Sequence, residues 1–220
     1  YILRHPAFGT SFEPVELLPD APEVAQRMAR AARSVGVGPM AAVAGAMAEL
    51  AVEAALKAGA AEAIVDNGGD IFMRATSPVV IGLHTGTVKL ADRLAFSLRP
   101  EDTPISICSS SGRMGHSTSL GKCDLATVVA RDGALADAAA TQAANLVRTA
   151  DDVDAALERI MAIWTSNDSF KNRVTLLSNS RNKDLKLDSS TVKTDGQSDT
   201  FVKPQANVDW VFAQKKDNWI

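Results

Sequence analysis

Apolar positions along the chain change period several times, and each change marks an element. Val24, Met28 and Ala31 recur at helical spacing behind Asp20 as a cap, with Pro22 and Glu23 in the first turn and Gly36 as a stop. A second helix is predicted over 39–57, with Pro39 in a first-turn position and Gly59 just beyond the end. It is apolar almost all round, with Ala41, Gly45 and Glu49 at four-residue steps. A helix with so little polar surface is expected to be buried, and Gly45 would let another backbone come close. Short apolar runs at 63–66, 71–74, 79–84, 94–98, 105–108 and 125–130 predict strands, the first two parted by Asn67-Gly68-Gly69-Asp70. Helical spacing returns over 133–148 and 152–163. Two helices, six strands and two helices predict an α+β fold, a layered antiparallel or mixed sheet with packed helices, and not a doubly wound parallel sheet.

Beyond residue 163 the pattern changes. Glu disappears, Ala occurs only at Ala206 and Ala213, Gly only at Gly196, and Ser, Thr and Asn crowd the stretch. All three tryptophans, Trp164, Trp210 and Trp219, lie at or after the break. Short alternating runs at 173–177, 185–187, 200–202 and 208–212, with Asp195-Gly196 as a turn, predict a β-rich C-terminal segment. Two units are therefore expected, 1–163 and 164–220.

Composition narrows the function classes. Hydrophobic residues make up 46% of the 220, enough for a real core, so wholesale disorder is not expected. A net charge of -3 argues against nucleic acid as the main partner, because neutralising phosphates takes a basic face. Two cysteines, Cys108 and Cys123, exclude a disulfide-stapled scaffold and a four-cysteine zinc site. No uninterrupted apolar run approaches the roughly 20 residues of a membrane-spanning helix, so no membrane partner is expected. A cytoplasmic location is expected.

Four segments carry candidate chemistry. The loop Val35-Gly36-Val37-Gly38-Pro39-Met40 runs into a helix start, whose free amides favour anions, or is a tight turn between helices. Asn67-Gly68-Gly69-Asp70 either lets a ligand lie close to the backbone or is a hairpin turn. The stretch from Ser109 through Ser110, Ser111, Gly112, Arg113 and Gly115 to His116 and Ser117 is dense in hydroxyls and carries a cation and an imidazole, suited to phosphate oxygens or to a carbonyl-rich ring. His116 serves there as a catalytic group or as a structural hydrogen-bonding one. Asp137 and Thr141 stand four apart on one helix face, hard oxygen donors of the kind Mg²⁺ uses while keeping waters or phosphates elsewhere. Alternatively, Asp137 favours the helix start and Thr141 bonds back to a carbonyl.

In order, Gly38-Pro39-Met40-Ala41-Ala42-Val43-Ala44-Gly45-Ala46, Asn67-Gly68-Gly69-Asp70, Ser110-Ser111-Gly112 with Gly115-His116-Ser117, and Ala136-Asp137-Ala138-Ala139-Ala140-Thr141 resemble an uncharacterised bacterial and archaeal family allied to ApbE. The ApbE proteins are FAD:protein FMN transferases, which cleave FAD and attach FMN to a Thr or Ser of a target protein with Mg²⁺. The resemblance covers residues 1–163. It implies Asp137 and Thr141 as side-chain metal ligands, helped by a backbone carbonyl near residues 41–44. It implies Gly68, Gly69 and Asp70 beside the flavin nucleotide, with Ser110, Ser111 and Gly112 in the neighbouring loop. His116 is then the catalytic candidate, FAD or FMN and Mg²⁺ the cofactors, and a protein acceptor a partner. The family also begins earlier, which implies N-terminal strands that residues 1–163 lack.

The chain departs from the transferases at two places. They carry a Lys where Ala44 stands, and their His-x-x-Asp-Pro is reduced to Gly115-His116-Ser117. The missing groups are those that would position and polarise a reacting phosphate. Three readings follow: a flavin-nucleotide enzyme, a module that holds the nucleotide without turnover, or a structural or interaction protein whose tail aromatics Trp210, Phe212 and Trp219 meet a partner.

Overall fold

The computed structural model describes residues 1–84, 94–113, 120–165 and 211–213. Its helices are α1 (Pro6–Thr10), α2 (Glu23–Val35), α3 (Val43–Lys57), α4 (Gly133–Leu146) and α5 (Val153–Thr165). Its strands are β1 (Ala63–Asp66), β2 (Asp70–Arg74), β3 (Val79–Leu83), β4 (Leu94–Leu98), β5 (Ile105–Ser110), β6 (Ala126–Ala130) and β7 (Val211–Ala213). Five strands form one antiparallel sheet in the order β1-β2-β5-β6-β7, and β3 and β4 form a separate two-stranded sheet. The α+β class expected from the sequence holds.

Strand alternation divides the core. Met73, Ile105, Ile107 and Val129 pack on one face of the large sheet against Leu83, Phe96 and Leu98 of the β3–β4 pair. Phe72, two residues from Asp70 and so on the same face of β2, packs with Ala48 and Val52 of α3. Cys108 and Val128 turn to the helices, joining Met28 and Val35 of α2, Ala139 and Ala143 of α4 and Ile160 of α5. The alanines of α4 are nearly all buried, and their small side chains let this helix sit close to sheet and helices alike. Helix α3 belongs to a 19-residue segment, Pro39–Lys57, that is long and apolar enough by composition to cross a membrane. Its Ala48 and Val52 pack against the sheet, but Met47, Ala51 and Ala54 are exposed, so the burial expected of this helix holds for one face only.

The expectations differ from the structure in four further places. Asp20 does not cap α2; Pro22 occupies that position, and Asp20 instead pairs with Arg4 at 2.7 Å. Residues 39–57 are not one helix, because Pro39–Ala42 form a 3₁₀ turn before α3 begins. Ser109 and Ser110 finish β5 and are not part of the loop beyond it. Helix α1 had no signal at all, since five residues make barely more than one turn and carry no period. Of the runs expected as strands in the tail, those at 173–177, 185–187 and 200–202 lie outside the described residues. Strand β7, overlapping the run at 208–212, pairs with β6 through Ala126–Ala213 and Val128–Val211.

Candidate functional site

A cleft of about 480 Å³ opens between α1, the turn before α3, the ends of β2 and β5, and one face of α4. Its walls include Asp70, Ser110, Asp137 and Thr141, four of the residues singled out from the sequence. Each arrives by simple geometry. Asp137 and Thr141 share a face of α4. Asp70 begins β2, and its pairing with Cys108 of β5 sets it on the sheet face that α4 covers.

Asp137 is 7% exposed, and its Oδ2 accepts a hydrogen bond from the Gly45 amide at 2.9 Å. The Ala44 amide donates to it as well. These amides belong to the first turn of α3, whose N–H groups have no partner within the helix, so a carboxylate from α4 caps α3 across the fold. A Cβ on Gly45 would overlap the Gly133 carbonyl oxygen and stand 2.8 Å from the Asp137 Cβ. The close approach expected at Gly45 is real, and it is what brings Asp137 within reach of the α3 amides.

Burial pushes the Asp137 carboxyl well up, with the charge of Asp70 adding to it; the two amides work the other way. Asp70 is 9% exposed, and burial raises its pKa to about 6 although the Cys108 thiol and the Ser109 amide both donate to it. The Cys108 thiol, wholly buried and faced by both carboxylates, is pushed up and stays protonated. The floor of the cleft thus holds two carboxylates that repel each other and no competing thiolate. Among the described residues, no group of three His, Cys, Asp or Glu is placed to hold a metal. Two carboxylates and a hydroxyl are a hard-oxygen set, poor for zinc and suited to a cation such as Mg²⁺ that keeps part of its water. The backbone carbonyl of Ala44 accepts from the Asn67 side chain at 3.3 Å.

Gly68, Gly69, Ser111 and Gly112 are not among the cleft walls. Gly68 and Gly69 take positive φ, 74° and 101°, in the exposed β1–β2 turn. Ser111 accepts from the Arg113 amide and donates to the Cys123 carbonyl, and Gly112 backs onto Gly121, so both fix the loop after β5. His116 lies outside the described residues. Conversely, Phe12, Asn145 and Arg148 line the cleft without having been singled out. No motif marks them; only folding brings the end of α1 and the end of α4 together. Arg148 is the one basic side chain on the walls among the described residues.

Residues 1–180 match the family model described as AbpE bacteria, a match that runs past the compositional break at 163. The chain is 44% identical over 169 residues to a UPF0280 protein of Methanospirillum hungatei, covering 74% of this chain and 69% of that protein. It is 49% identical over 147 residues to a UPF0280 protein of Archaeoglobus fulgidus, covering 67% and 59%. To a UPF0280 protein of Methanococcoides burtonii it is 47% identical over 145 residues, covering 66% and 61%. The chain thus spans 59–69% of the length of these relatives.

Proposed function

The chain belongs to the AbpE bacteria family, and from that premise and the cleft we propose that it binds a flavin nucleotide, FAD or FMN, with Mg²⁺. The observation that carries this reading is the convergence of Asp70, Asp137 and Thr141 on one cleft whose volume falls in the range of small-molecule sites. Asp137 and Thr141 would hold the cation, which supplies neutralisation of phosphate oxygens. Asp70, 9% exposed, adds negative charge to the same floor and strengthens the pull on a cation. Arg148 offers a guanidinium to the remaining phosphate charge. The resemblance to ApbE supplies the flavin; the cleft supplies an address for cation and anion together.

Binding without turnover is favoured over transfer by one observation. At Ala44 the amide donates to Asp137, the carbonyl accepts from Asn67, and the side chain is a methyl group. No amine reaches the cleft from the place where the transferases carry a Lys. A transferase would in addition require a Thr- or Ser-bearing protein acceptor and a polarising group, for which His116 is the candidate.

Titration with FMN or FAD, followed by flavin fluorescence with and without Mg²⁺, tests the reading. Asp137→Asn keeps an acceptor for the Gly45 amide but loses the charge. It is expected to weaken Mg²⁺-dependent affinity about tenfold or more with little change in melting temperature. Equal affinity in the variant would remove Asp137 from the site. Covalent FMN on a Thr-bearing acceptor peptide, detected by mass spectrometry, would establish transfer in place of binding alone.

A further inference from the structure

Among the described residues, large apolar side chains left exposed include Phe12 at 63% and Leu120 at 59%, and both line the cleft that holds Asp137. Exposure of this kind usually means a loose segment or a surface of no consequence. A loose segment does not account for it, because the backbone at both positions is held, and both side chains border one cleft. Ser11, immediately before Phe12, closes the end of α1 by donating its amide to the Ala7 carbonyl at 2.9 Å. Its hydroxyl then donates to the Glu13 carbonyl at 2.8 Å and accepts from the Glu13 amide at 3.0 Å. Behind this turn lies Gly38: a Cβ there would overlap the Ser11 carbonyl and stand 3.0 Å from the Phe12 Cα. Elsewhere on the cleft wall, the Leu120 amide donates to the Asn145 side chain of α4 at 2.6 Å. Two backbones are therefore held while two apolar side chains are left in water over one polar cleft.

The geometry points to a ring-holding subsite: Phe12, with Leu120 of the same cleft, takes the planar heteroaromatic ring of a phosphorylated ligand whose phosphate lies toward Asp137 and Thr141. An aromatic face accepts any flat ring by stacking, and a backbone held in advance lowers the ordering cost of presenting it. The division of labour is physical. The cation site reads phosphate charge and cannot tell one phosphate ester from another, while the apolar mouth reads the ring and is indifferent to phosphate. The inference rests on the nucleotide reading above and adds what selects the ligand's other end.

The test compares a ring-bearing probe with one that has no ring. FMN and inorganic pyrophosphate, each with Mg²⁺, are titrated calorimetrically into the full chain and into Phe12→Ala and Phe12→Tyr variants. Phe12→Ala is expected to weaken FMN about tenfold, Phe12→Tyr to retain binding within about twofold, and pyrophosphate affinity to hold within about twofold throughout. Equal loss of FMN and pyrophosphate in Phe12→Ala would show that Phe12 only shapes the fold, and unchanged FMN affinity would show that the ring lies elsewhere; either overturns the subsite alone. Failure of the unaltered chain to bind either probe overturns the nucleotide reading and the subsite with it.

Discussion

The α3–α4 crossing and the β1–β2 turn are each built on two glycines, for opposite reasons. At the crossing, Gly45 and Gly133 face each other: a Cβ on Gly45 would overlap the Gly133 carbonyl, and a Cβ on Gly133 would stand 2.6 Å from the Gly45 carbonyl. Both are there because there is no room. At the turn, Gly68 and Gly69 have nothing within 4 Å of a built Cβ but take φ of 74° and 101°. They are there because of backbone conformation, with room to spare. As sequence the two look alike, glycines beside candidate site residues. In the fold one pair sets the distance from α3 to the Asp137 carboxylate, and the other merely reverses the chain.

That contrast predicts unequal consequences. Gly45→Ala gains about 1 kcal/mol of helix propensity but forces α3 and α4 apart, and a net loss of about 3 kcal/mol is expected in urea unfolding. The amides of Ala44 and Gly45 would move off Asp137, so Mg²⁺-dependent nucleotide affinity should fall in the same variant. A Gly45→Ala protein as stable as the parent would mean that the helices slide freely, and the crossing would lose its claim to position the site.

Gly69→Ala should do less and do it differently. An L-residue at φ of 101° costs about 1–2 kcal/mol, read as a modest fall in melting temperature, with nucleotide affinity unchanged. Weakened binding at unchanged stability would instead bring this turn to the ligand, as the resemblance to ApbE implies. This substitution therefore decides between two uses of the same glycines.

What was legible follows the same division. Long amphipathic or uniformly apolar segments announced α2, α3, α4 and α5, since their periods run over several turns. The pair Asp137 and Thr141 was legible because helix geometry alone puts them side by side. Asp70 was legible as a residue but not as a partner of Cys108 and Asp137, which depends on strand register. The cap of α2 is not legible locally: Pro22 takes that position, and Asp20 pairs with Arg4, sixteen residues away. Phe12 and Arg148 carry no local signal: each is an ordinary residue until distant segments meet around it.

The smallest effect belongs to the rim of the crossing, at Glu49. Its Oε2 accepts from the Gly133 amide at 2.9 Å, and Arg27 stands 3.4 Å from its other oxygen. Burial, with the charge of Asp132 adding to it, nonetheless raises its pKa from 4.5 to about 6. A carboxyl with a raised folded-state pKa binds its proton more tightly folded than unfolded. Its contribution is therefore present below about pH 4.5 and is lost as pH rises through about 6. Glu49→Gln keeps an acceptor for Gly133 and removes the titration. The variant and the parent should melt together near pH 4.5. By pH 8 the variant should be the more stable by about 1 kcal/mol, the full shift being reduced because the site is partly open to water. A stability difference that does not change between these pH values would assign the carboxylate to Arg27 as an ordinary ion pair, and would leave the glycine contact alone to hold the crossing.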